Sequence, residues 1–196
     1  MRKKLLIGSF VATGLVLAMG VTPAIAETTD STVSGGTLDA TIFGATLTGV
    51  TLDGSDTQAA TGTATSPWSV TDPRGTGAAW AVSVMATVPT SAAQASGGPA
   101  SETTARTIPV SNLTITPGTI TPAAGADPAD SIVAPAKTML TTSQALISAP
   151  GANMGTYTLT PTFSLAIPAN TYRSNYIIGT SGEMNPYTST ITYTIG

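Results

Sequence analysis

The end of the chain alternates: Tyr187, Ser189, Ile191, Tyr193 and Ile195 are interleaved with Thr188, Thr190, Thr192 and Thr194. An extended strand turns successive side chains to opposite faces, so a period of two predicts one apolar face and one hydroxyl-bearing face. Threonine suits the exposed face because its branched Cβ favours extended backbone and its hydroxyl stays hydrated. The same period sets Trp80, Val82, Val84, Ala86 and Val88 against Ala81, Ser83, Met85 and Thr87. It also runs through Tyr157, Leu159, Pro161, Phe163, Leu165 and Ile167, where Pro161, lacking a backbone donor, predicts an edge strand or a bulge.

Shorter β-branched runs at Leu38 to Ile42 and Thr46 to Leu52, and an Ala/Thr run at Gln58 to Thr65, predict further strands, with Asp53-Gly54 as a turn. Loops are expected at Val88 to Thr104, Pro117 to Pro128, Ala149 to Gly155 and Ser174 to Pro186, each carrying Gly or Pro punctuation. No segment has a sustained helical period, although Asp130 to Ala136 has room for one helical turn. Short strands between Gly/Pro loops predict an all-β protein, an antiparallel β-sandwich of Ig-like or Greek-key type.

The first residues read as an export signal. "MRKK" is a basic start, Leu5 to Met19 is apolar, and Ala24-Ile25-Ala26 offers small residues for cleavage after Ala26. The expected organisation is a signal peptide over 1–26, a polar flexible leader over 27–36 and one domain over 37–196. The apolar run is too short for a stable membrane span, so a secreted protein is expected. About 170 residues remain after cleavage, enough for one hydrophobic core. They carry four basic side chains (Arg74, Arg106, Lys137 and Arg173) against ten acidic ones, a net charge of −6. Nucleic acid is therefore excluded as a partner, because displacing its counterions takes clustered Lys and Arg. The chain has no Cys and no His, which removes disulfides, thiolate nucleophiles and the commonest metal ligand and general base.

Both tryptophans lie in "PWSVTDPRGTGAAWAVSV", Pro67 to Val84. Asp72-Pro73-Arg74-Gly75 has the residue preferences of a type I turn. On that reading Trp68, Val70 and Trp80 are core positions on two strands, Gly75 and Gly77 supply unusual backbone angles, and Arg74 projects from the tip.

The segment "VTDPRGTGAAWAVSVMAT", Val70 to Thr87, resembles the WxL-domain pattern V-x-D-x-R-G-T-G-A-G-W followed by a hydrophobic residue. "YTSTITYTIG", Tyr187 to Gly196, is similar to the family's C-terminal segment, and "LTGVTLDG" and "GTYTLTP…IPANTY" also resemble family segments in the right order. The two name-giving motifs fall at Trp80-Ala81-Val82 and Tyr193-Thr194-Ile195, with Tyr193 in place of the second tryptophan, Ala79 in place of the usual glycine and Ser174 to Pro186 as an insertion. The resemblance implies a β-sandwich on the surface of Gram-positive bacteria, attached non-covalently to the cell wall through peptidoglycan or another wall glycan, often beside other surface proteins. Wall-binding candidates carried by it are Trp80, Val82, Tyr193 and Ile195, with Trp68, Asp72 and Arg74 nearby. The periodicity makes Trp80 and Tyr193 core anchors first, leaving glycan contact to exposed aromatic faces and to polar groups near the turns.

No cofactor, metal site or catalytic residue is expected. Asp53 to Asp56 lacks the oxygen ligands and distal Glu of a calcium loop, and no acidic residue sits in a recognisable glycosidase motif. Lys137, the one lysine left after cleavage, raises an isopeptide crosslink to Asn112, Asn153, Asn170, Asn175 or Asn185, against the plainer expectation of a solvated lysine. Beside wall attachment stands an alternative role, a structural or adhesive surface subunit that joins other surface proteins through its strand edges.

Overall fold

The structure, a computed structural model, describes residues 31–94, 102–177 and 183–196. The expected signal peptide, residues 1–26, lies outside them, as do residues 27–30 of the leader and parts of the loops at 88–104 and 174–186. Among the described residues no helix is long and apolar enough to cross a membrane.

Residues Ser34–Gly196 form one compact unit. Its strands in chain order are β1 (Asp39–Thr41), β2 (Gln58–Thr63), β3 (Trp68–Asp72), β4 (Trp80–Ala86), β5 (Thr90–Ser91), β6 (Arg106–Thr107), β7 (Leu113–Thr116), β8 (Thr121–Pro122), β9 (Lys137–Thr138), β10 (Gln144–Ala149), β11 (Gly155–Leu159), β12 (Thr162–Ile167) and β13 (Ile191–Ile195). They pair antiparallel throughout, in the orders β1-β3-β11-β8, β10-β4-β13 and β2-β12-β7-β9, with a small β5-β6 ribbon. The inner faces share one apolar core. The fold is therefore all-β, antiparallel sheets packed as a sandwich.

The alternation is carried into burial. Trp80, Val82, Val84 and Ala86 are buried along β4, while Met85 is exposed. Tyr157, Leu159, Phe163, Leu165 and Ile167 are buried too, but on two strands. The chain leaves the first sheet after Leu159 and enters the third at Thr162, so Pro161 marks a change of sheet. Its carbonyl accepts from Ala64 N at 2.9 Å, and its missing donor suits the break in the ladder.

Three expected elements differ. Residues 46–52 form no strand: Thr48 N donates to Thr61 O at 2.8 Å, but Thr61 N donates back to the Thr48 hydroxyl at 3.1 Å instead of a carbonyl, which ends the ladder. A Cβ on Gly62 would stand 2.4 Å from Thr46 O, so this close approach requires glycine. Residues 130–136 form no helical turn; Ile132 N bonds Ala129 O at 2.9 Å, then Val133 bridges Ser148 in extended form ahead of Pro135. The terminal strand is shorter than its period, because Thr190 N turns to the Thr87 hydroxyl at 2.8 Å and Thr188 bridges Thr90 separately.

Candidate functional site

The two tryptophan-bearing strands do not form a hairpin. β3 pairs with β1 and β11, and β4 with β10 and β13, so residues 73–79 carry the chain from one sheet to another. The Asp72 carboxylate, 1% exposed, organises this crossing. One oxygen accepts from Arg74 N at 3.1 Å and Arg74 Nε at 2.8 Å, and the other accepts from Arg74 Nη2 at 2.9 Å. The same Nη2 donates to Ala78 O at 2.9 Å and Ala79 O at 3.2 Å. A side-chain carboxylate two residues back thus closes the turn. Gly75 and Gly77, at φ 68° and 63°, supply the left-handed angles that let the chain double back.

Arg74 consequently does not project from a tip. Its hydrogen bonds hold the Asp72 carboxyl below the usual carboxylate range, against the opposing effect of burial. Arg74→Ala would leave that carboxylate buried and without its ionic partner, a strongly unfavourable arrangement. The expected result is a clear fall in melting temperature at pH 7 and a smaller one in acid, where Asp72 takes up a proton. Equal losses at both pH values would show that the pair is not the cause.

The structure brings the two motifs side by side. β13 pairs with β4 so that Ile195 lies opposite Val82, and Tyr193 opposite Val84. Trp68, Trp80 and Val82 are buried, and Tyr193 and Ile195 are half-buried. Trp68 packs edge-on against Tyr193, centroids 5.0 Å apart, and against Phe163 at 6.3 Å. Its indole donates to Phe43 O at 2.7 Å. The Trp80 indole donates to Asn153 O at 3.0 Å and its ring packs beside Tyr157 at 6.0 Å. Both polar tips point inward. Among the described residues the buried Tyr193 hydroxyl has no hydrogen-bond partner, and burial raises its pKa. The exposed side of the motif strands is hydroxyl-bearing: Thr192 and Thr194 of β13 stand beside half-buried Ser83 and exposed Met85 of β4.

Sequence reasoning missed an apolar groove of about 1090 Å³. It is lined by Ile42 and residues 44–52, by Phe163 and Leu165 of β12 and by Ile191 and Tyr193 of β13. Its rim exposes Leu52, Tyr172 and Met184, and Arg173 is the one charged residue among the described lining. No local pattern marks it, because its walls come from distant parts of the chain.

Beyond one end of the groove lies a polar knot around Glu102, which is fully buried. Its carboxylate accepts from the Arg173 guanidinium and from Tyr176 N at 2.6 Å, with Arg106 at 3.6 Å. Arg173 also lies over the Tyr176 ring at 4.1 Å, and Asn175 donates to Ala92 O at 2.9 Å and Thr104 O at 3.0 Å. These bonds fasten residues 173–176 to the segment between β5 and β6. Burial pushes the Glu102 carboxyl up, but the Tyr176 N–H and the Arg173 guanidinium outweigh it and hold it low.

A pH profile follows. Lowered carboxylates, Asp72 and Glu102, add stability that is present above the ordinary carboxylate range and is lost as pH falls below about 4. Raised phenols, with burial as the first cause for Tyr193, Tyr157 and Tyr187, add stability that is present below about pH 10 and lost above it. Thermal melts should show a plateau between these limits; an acid limb as flat as the plateau would contradict the assignment of the two carboxylates.

Lys137 sits half-buried on β9 opposite Ile115. The two buried amides have other partners, Asn153 with Ser131 and Pro128, and Asn175 with Ala92 and Thr104. Among the described residues no three His, Cys, Asp or Glu side chains gather to hold a metal. Searches of protein-family models, curated proteins and solved structures find no match to this chain.

Proposed function

We propose that the chain is a secreted, non-enzymatic surface protein that attaches non-covalently to the Gram-positive cell wall through peptidoglycan or another wall glycan. The observation that supports this reading is the β4–β13 register, which joins the two segments resembling the WxL motifs into one surface element with an exposed hydroxyl face. On this reading the tryptophans hold the strands, and Thr192 and Thr194 with their neighbours meet the wall. Hydroxyl contacts to a neutral glycan carry little charge, so salt should change binding only weakly. The mature chain should therefore sediment with purified peptidoglycan at low and high salt. Thr192→Glu combined with Thr194→Glu should reduce the bound fraction severalfold without lowering the melting temperature. Absence of sedimentation at every salt concentration would refute wall attachment.

A second reading has its own observation. β13 is the last strand of its sheet, and an open edge is a template for another chain. It supports a surface subunit that joins other proteins through strand edges.

A further inference from the structure

The free edge of β13 and the apolar groove are one feature. Ala81 and Gly196 exchange both backbone hydrogen bonds, at 2.7 and 3.1 Å. Bonded and non-bonded pairs alternate along an antiparallel ladder. Val82–Ile195, Val84–Tyr193 and Ala86–Ile191 are therefore non-bonded pairs, and Ala86 N indeed turns away to Leu140 O at 2.9 Å. It follows that Ile191, Tyr193 and Ile195 direct their N–H and C=O groups away from β4, where no hydrogen bond among the described residues meets them. The side chains of Ile191 and Tyr193 line the groove. A strand laid along this edge would share their pleat, so every second side chain would enter the groove. Ile42 and residues 44–52, which also line the groove, do not pair with β13. Arg173, the one charge among the described lining, is paired with the buried Glu102 carboxylate.

We propose that this groove captures an extended peptide segment of another exported protein by strand addition to β13. The segment is apolar at alternate positions. Main-chain bonds would give affinity and the groove would select the side chains. The proposal rests on the second reading above and specifies its partner and place.

The test uses the mature chain and a synthetic octapeptide, Glu-Val-Thr-Val-Thr-Val-Thr-Val, capped at both ends. Two controls are the same composition with its valines consecutive, and the same sequence N-methylated at alternate residues. The patterned peptide should bind, with both controls weaker by about tenfold or more. Ile191→Pro removes only an outward N–H, leaving the ladder to β4, and should also abolish binding. Should Ile191→Pro fail to fold, Val50→Trp, which puts bulk into the groove, should lower binding of the patterned peptide in its place, and unchanged binding would overturn the groove. Binding that is sensitive to N-methylation but not to Ile191→Pro would overturn the groove and keep strand-edge pairing elsewhere. Equal binding of the N-methylated peptide would overturn strand-edge pairing itself. No binding by any peptide, or a self-associated dimer that the peptide displaces, would overturn the proposal.

Discussion

Trp68→Ala is expected to destabilise the fold by about 3–5 kcal/mol, the range for removing a fully buried large aromatic. The position joins all three larger sheets. Trp68 belongs to β3, its ring meets Phe163 of β12 and Tyr193 of β13, and its indole donates to Phe43 O. Alanine would remove the apolar contacts and leave a cavity at 0% exposure where no water replaces them. At about 2–4 °C per kcal/mol for a domain of this size, the melting temperature should fall by on the order of 10 °C. The groove should loosen as well, because Tyr193 would lose the ring it leans on. An unchanged melting temperature would mean that Trp68 is not where the core is held.

Trp80→Ala should cost a similar amount, about 3–5 kcal/mol, for a different reason. Trp80 is 3% exposed, and its indole joins β4 to the loop before β11 through Asn153 O. That loop also meets the crossing, since Ala152 N donates to Gly77 O at 2.9 Å. Trp80→Phe separates the two contributions. It keeps most of the apolar volume and removes the hydrogen bond, so about 1 kcal/mol should be lost, somewhat more if Asn153 O finds no replacement donor. If Trp80→Phe were as damaging as Trp80→Ala, shape rather than burial would dominate.

The faces of the strands could be read from the residues because burial follows a period of two without help from tertiary context. Spacing alone places Trp80, Val82, Val84, Ala86 and Val88 on one inward face; the structure buries the first four and exposes Val88, which lies past the end of β4. Strand pairing was not legible. β3 and β4 flank one short turn-like segment, yet their partners are β1, β11, β10 and β13, chosen by packing across the whole chain. β10 shows why a whole strand was missed: Leu146 and Ile147 are both buried because the register shifts between Ala145 and Ile147, which erases the alternation. β7 has only Leu113 and Ile115 to show a period. In the candidate site, the neighbourhood of Asp72 and Arg74 was visible, but their pairing was not, because a turn explained the same residues without it. The groove left no trace in the sequence, since its walls meet only after folding.

On the proposed attachment, Trp80 is scaffold and the wall contact is made elsewhere. Sedimentation of Trp80→Phe with purified peptidoglycan, below its melting temperature and beside the unsubstituted chain, tests it most directly. The account predicts equal bound fractions despite the lower stability. Binding by the unsubstituted chain and none by the folded variant would make the Trp80 indole itself the ligand contact and would contradict the account.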